Sequence, residues 1–116
     1  MRLYIATPIN ARKEKTVKER FCAAKYRCGI LRDLLSDEKE FQRFTEIVTP
    51  FDVNPTEQQY SEDIALGRCV TAVLKSDAIY LDHGWQSSKG CNLEYRTAKI
   101  YGKEIIEHDK MLGDYE

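Results

Sequence analysis

Histidine and tryptophan are scarce in this chain of 116 residues, with two and one respectively, and no apolar run is long enough to cross a bilayer. His83 and His108 are too isolated for a metal site. The four cysteines, Cys22, Cys28, Cys69 and Cys91, are never closer than six positions, which excludes zinc-type pairing and suits reduced thiols. Excess charge of one sign is missing too. Lys and Arg number 18 against 19 Asp and Glu, a net charge of −1, so there is no basic footprint for a nucleic acid polymer. A P-loop, a carboxylate cluster for magnesium, internal repeats and low-complexity linkers are also lacking. No leader-like segment opens the sequence, so a cytoplasmic location is expected, with no membrane contact. The expectation is one domain spanning 1–116 that handles a small molecule without metal or cofactor.

Within those limits, strands alternate with helices. Arg2 to Ala6 reads as a first strand and Pro8 to Ala11 as a loop. A long charged helix is expected from about Arg12 to Leu35, with one apolar stripe of Val17, Phe21, Ala24, Cys28, Leu31 and Leu35. Gly29 inside it costs roughly 1 kcal/mol relative to alanine, which close packing would explain. Thr45 to Thr49 is a second strand and Pro50 to Pro55 a turn-rich loop. Thr56 and Gln59 suit a capping box ahead of a helix through Lys75. Ala78 to Leu81 is a strand of the type covered on both faces, and a helix follows from about Ser88 to Tyr101. Gly102 stands where a left-handed cap ends that helix, and Glu104 to Glu107 is a last strand. The pattern predicts a small parallel sheet in a three-layer α/β sandwich of flavodoxin or Rossmann type. Ligands in such sheets gather outside the carboxyl ends of the strands, where the loops 7–10, 50–55 and 82–88 would converge.

The stretch from Asp77 to Tyr95 carries the most chemistry. A buried-type strand breaks at His83-Gly84, passes a serine turn, and opens a helix that bears Glu94. Ser87 or Ser88 can cap that helix, whose free N–H groups favour an anion. Ser87, Ser88, Lys89 and the amide of Gly90 would together hold a phosphate, while Gly84 and Gly90 leave room for a ligand against backbone. On residue type alone, Glu94 reads first as a solvated helix residue, and Tyr4 reads equally well as core packing. Trp85, in a polar turn, reads as a lid or a subunit plug rather than core. Cys91 has no histidine partner and reads as packing.

Tyr4-Ile-Ala-Thr7-Pro8 and Gly84-Trp85-Gln-Ser-Ser88-Lys-Gly90-Cys-Asn-Leu-Glu94, a YIxxP start and a GWxxSxGCxxE core, resemble the nucleoside 2-deoxyribosyltransferase-like superfamily, in its short DUF4406-like branch. The resemblance implies cleavage or exchange of an N-glycosidic bond. In it, Glu94 would be the nucleophile at C1′, Tyr4 would orient that carboxylate, and Asp63 would contact or protonate the base, with Glu62 its rival by one position. Thr7 and Pro8 would meet the sugar or its phosphate. Ser88 departs from the transferases, which carry aspartate there, and is similar to the 2′-deoxynucleoside 5′-monophosphate N-hydrolases. The resemblance also implies a homo-oligomer, with the tail Met111 to Glu116 available to a partner's site. Tyr4, Thr7, Ser88 and Glu94 are expected to line one cleft. The rival expectation is a non-catalytic module that binds a nucleotide or nucleotide-sugar as a sensor.

Overall fold

Four short strands, β1 (Arg2–Ala6), β2 (Glu46–Val48), β3 (Ala78–Leu81) and β4 (Glu104–Glu107), pair in parallel in the order β2-β1-β3-β4. The computed structural model describes residues 1–8, 17–54 and 62–112, without the side chains at 17, 62, 63 and 112. Helices α1 (Val17–Asp37), α2 (Pro50–Val53), α3 (Glu62–Leu74), α4 (Lys89–Ile100) and α5 (His108–Leu112) complete it. The result is a three-layer α/β sandwich of Rossmann or flavodoxin type.

Side-chain alternation along the strands separates two cores. Leu3, Ile5, Ala78 and Tyr80 face α1, meeting Ala24, Cys28, Leu31 and Leu35 of its apolar stripe. Tyr4, Ala6, Ile79 and Leu81 face the other way, against Cys69, Ala72 and Val73 of α3 and Cys91 and Ala98 of α4. All four residues of β3 are buried, and burying Ile79 or Leu81 contributes about 2 kcal/mol each. Phe21, less buried, completes the stripe by meeting Phe51 edge to face at 4.9 Å. No described helix is long and apolar enough to cross a membrane.

Several local expectations need correction. The segment after β2 opens with a helical turn, α2, rather than running as a loop. Thr49 leaves the strand to become its N-cap, accepting from the Phe51 N–H at 3.3 Å, while the Thr49 N–H donates to Asp52 at 2.7 Å. Pro50 occupies the first helical position, where its missing N–H costs nothing. Gly29 meets nothing within 4 Å of where a Cβ would stand, so close packing does not explain it. Gly102, by contrast, has φ +69 just beyond α4, the left-handed conformation expected of it. The proposed Thr56–Gln59 capping box and the loop from Ile9 to Ala11 lie outside the described residues.

Candidate functional site

The direction of strand order changes at β1, with β2 on one side and β3 on the other. The carboxyl ends of β1 and β3 therefore bound the crevice where this architecture places ligands. Beneath it, on the α3/α4 face, Tyr4 from the middle of β1 and Glu94 from the second turn of α4 meet in the interior. Tyr4 is fully buried and Glu94 is 5% exposed. Among the described residues, four buried side-chain atoms have no hydrogen-bond partner: Tyr4 Oη, Glu94 Oε2, Asn54 Oδ1 and Arg32 Nε. The first two belong to neighbouring side chains that interact electrostatically.

Their ionisation reflects that setting. Burial pushes the Glu94 carboxyl up to about 7, and interaction with the Tyr4 hydroxyl pulls it partly back. Burial first, and then the charge of Glu94, hold the Tyr4 phenol well above its usual range. The pair is close enough to couple electrostatically but lacks a formed hydrogen bond.

Local sequence explains how Glu94 is held. Ser88 is the N-cap of α4, its Oγ accepting from the Cys91 N–H at 3.2 Å. Gly84, at φ +82, makes the preceding turn, and a 3-10 turn from Trp85 to Ser87 follows it. A Cβ on Gly90 would lie 3.3 Å from Leu66 of α3 and 4.0 Å from Glu94 Oε1, so the glycine lets the two helices close over the carboxylate. Ser87 donates to the Gly84 carbonyl at 2.8 Å, and Lys89 is exposed. Trp85 is neither a lid nor a plug: it is 9% exposed and packs on Tyr95 with ring centroids 4.8 Å apart. The turn folds its indole back into the core shared with Tyr4.

Thr7 departs from the expected single cleft. Alternation along β1 sends its side chain to the α1 face, where its Oγ1 accepts from the Cys28 thiol at 3.3 Å. There it borders a cavity of about 360 Å³ with Pro8, Arg20, Arg27, Asp82 and His83. Pro8 stands close to Gly84, 3.8 Å from the position of a Cβ on that glycine. Asp63 is the second residue of α3, but its side chain lies outside the described residues, as does that of its rival Glu62. Residues 113–116 of the tail also lie outside them.

Two groups escaped the sequence reading. Arg27 holds the buried Asp82 through two hydrogen bonds, Nε to Oδ2 at 3.1 Å and Nη2 to Oδ1 at 2.9 Å. The same Nη2 is 3.5 Å from His108 Nε2, and His108 Nδ1 lies 2.6 Å from the Tyr80 hydroxyl. Asn54, the C-cap of α2, reaches α3 with its amide nitrogen, 3.1 Å from the Ala65 carbonyl and 3.5 Å from Cys69 Sγ. These contacts bridge distant parts of the sequence and leave no local signature. A larger groove, about 920 Å³, follows the β2 edge between Arg2, Arg32, Glu46, Arg68 and Lys75. Its wall includes Val48, Val53 and Ala72, which also pack in the Tyr4 core, but neither cavity is lined by Tyr4 or Glu94.

Fold and site together define a small parallel α/β protein with a buried tyrosine–glutamate pair below the point where strand order reverses. A family model, Domain of unknown function (DUF4406), matches residues 33–107, well over half of the chain, and the protein belongs to that family. No curated protein and no solved structure matches it.

Proposed function

We propose that this protein cleaves or exchanges the N-glycosidic bond of a 2′-deoxynucleoside or its 5′-monophosphate, through a covalent intermediate on Glu94. The observation that carries this reading is the Glu94 carboxylate, buried and with Oε2 unpartnered, facing the unpartnered Tyr4 hydroxyl. Leaving an ionisable group unsatisfied in the interior costs several kcal/mol. A cationic centre developing at C1′ would offset that cost only in the transition state.

In the proposed reaction the Glu94 carboxylate attacks C1′ as the C1′–N bond breaks, and the bonding pair leaves with the base. Asp63, near the start of α3, is the proposed acid that delivers a proton to the departing ring nitrogen. Water then attacks C1′ of the glycosyl ester, loses a proton, and frees Glu94, while a second base in place of water gives exchange. Tyr4 donates to one carboxylate oxygen and leaves the other to react. Ser87, the hydroxyl proton of Ser88 and the Gly90 amide are the proposed contacts for a 5′-phosphate, with Gly84 making the turn that presents them and Pro8 beside it. The protein would act in the cytoplasm as a homo-oligomer.

A sensor that binds a nucleotide or nucleotide-sugar without turnover is the second reading. It is favoured by the capping role that already engages Ser88 Oγ and by the near-complete burial of Glu94. Incubating the protein with deoxynucleosides and their monophosphates and measuring free base separates the two. Release supports the enzyme, and saturable binding without release supports the sensor.

A further inference from the structure

Asn54 has its donors committed and its acceptor bare. Its backbone N–H donates to the Pro50 carbonyl at 2.9 Å, and its side-chain nitrogen is turned toward Ala65 O and Cys69 Sγ. Rotating the amide by half a turn would set Oδ1 against the Ala65 carbonyl, two acceptors in contact, so the hydrogen-bond pattern fixes the orientation. Oδ1 is left without a partner in a residue that is only 7% exposed. An acceptor in that condition costs about 1–3 kcal/mol.

Three of the four residues that carry such atoms, among those described, adjoin Cys69. Cys69 contacts the Asn54 amide and packs in the same core as Tyr4. Its thiol interacts with the Tyr4 hydroxyl and feels the charge of Glu94; burial above all, with that charge, pushes it up to about 11, so it stays a neutral thiol. Asn54, Tyr4 and Glu94 thus share Cys69 as a buried neighbour. Two of the bare atoms, Asn54 Oδ1 and Glu94 Oε2, are acceptors, an arrangement that repels anions and calls for donors.

We infer that Asn54 is a ligand-binding residue, whose Oδ1 accepts a hydrogen bond from a neutral O–H or N–H donor of the glycoside that occupies the Tyr4–Glu94 site. The inference rests on the proposed function and deepens it. The donor-bearing part of the ligand, sugar or base, sits at Asn54, and a phosphate is excluded from that end. Two sources supply the donor: the sugar 3′-hydroxyl or an exocyclic amine of the base.

Titration calorimetry on the Glu94→Gln chain, which does not consume the ligand, separates these possibilities. The probes are 2′-deoxyadenosine 5′-monophosphate, its 3′-deoxy analogue and its analogue lacking the 6-amino group. One of the two analogues should bind about 10-fold more weakly than the parent, because it leaves Oδ1 bare. Adding Asn54→Leu should weaken the parent and abolish the difference. Should that variant fail to fold, a crystal structure of the Asn54-containing chain with the parent bound decides. A ligand donor about 3 Å from Oδ1 supports the inference, and a water there, or nothing, overturns it. Discrimination that survives Asn54→Leu overturns the inference alone. If none of the probes binds, the inference falls, while free-base release from the other deoxynucleosides and their monophosphates tests the glycoside reading separately.

Discussion

The Tyr4 hydroxyl and the Glu94 carboxylate confront each other across the interface between β1 and α4, both buried and neither with a formed hydrogen bond. Because Tyr4 lowers the Glu94 pKa from a value raised by burial, its removal has a definite sign. In Tyr4→Phe the pH at which base release reaches half its maximum should move upward. The rate itself should fall roughly 100-fold through loss of orientation. A pH–rate profile checks both. An unchanged profile would mean that the phenol does not act on the carboxylate.

Glu94 also ties stability to pH. Its carboxyl titrates near 7 in the folded protein against an ordinary value of 4.5. The unfolded chain therefore releases this proton more readily than the folded chain does. The resulting cost is absent below about pH 4.5, grows as pH rises, and is complete above about 7. At full strength it is about 3 kcal/mol. Glu94→Gln should raise the unfolding midpoint at pH 8 and have little effect at pH 4.5, as denaturant titrations at the two pH values would read. Equal effects at both would contradict the buried, proton-holding carboxyl.

The Arg27–Asp82 pair anchors α1 to the end of β3. Asp82 is 3% exposed at its side chain and Arg27 38%. Arg27→Leu leaves a carboxylate buried without its cation and should cost about 2–4 kcal/mol. Replacing both residues with leucine should recover most of that loss. A urea-based double-mutant cycle measures the coupling, and additive losses would show that the pair acts separately.

Much of the architecture was legible because it is written in periodicity. The short apolar runs of β1 and β3 and the stripe on α1 each depend on spacing within one element. A serine cap at 87 or 88, which the structure resolves to Ser88, and the left-handed Gly102 were legible in the same way. What was not legible depends on tertiary placement. Nothing local tells that Trp85 folds inward onto Tyr95, or that Thr7 turns to Cys28 while Tyr4, three residues earlier, faces α4. Asn54 looked like one more turn residue. Its isolation as a buried acceptor emerges only when Ala65 and Cys69 are brought beside it. The four-residue α2 was missed because a proline-led single turn has too few residues to show a helical period.

Ser88 joins a cap to a proposed phosphate contact. Ser88→Ala removes the acceptor for the Cys91 N–H and should cost about 1 kcal/mol of stability. If the start of α4 receives a 5′-phosphate, the same change should weaken monophosphates more than the matching nucleosides. Parallel affinity measurements decide, and equal losses for both would remove the phosphate from this end of the helix.

Whether Glu94 is the nucleophile is read from free-base release from 2′-deoxynucleoside 5′-monophosphates by the parent chain and by Glu94→Gln. The variant keeps the side chain's size and hydrogen-bonding capacity but can form no glycosyl ester. A nucleophilic Glu94 means that release falls by about 1000-fold or more while ligand affinity changes far less, since the loss is concentrated in the transition state. Release undiminished in Glu94→Gln would contradict it.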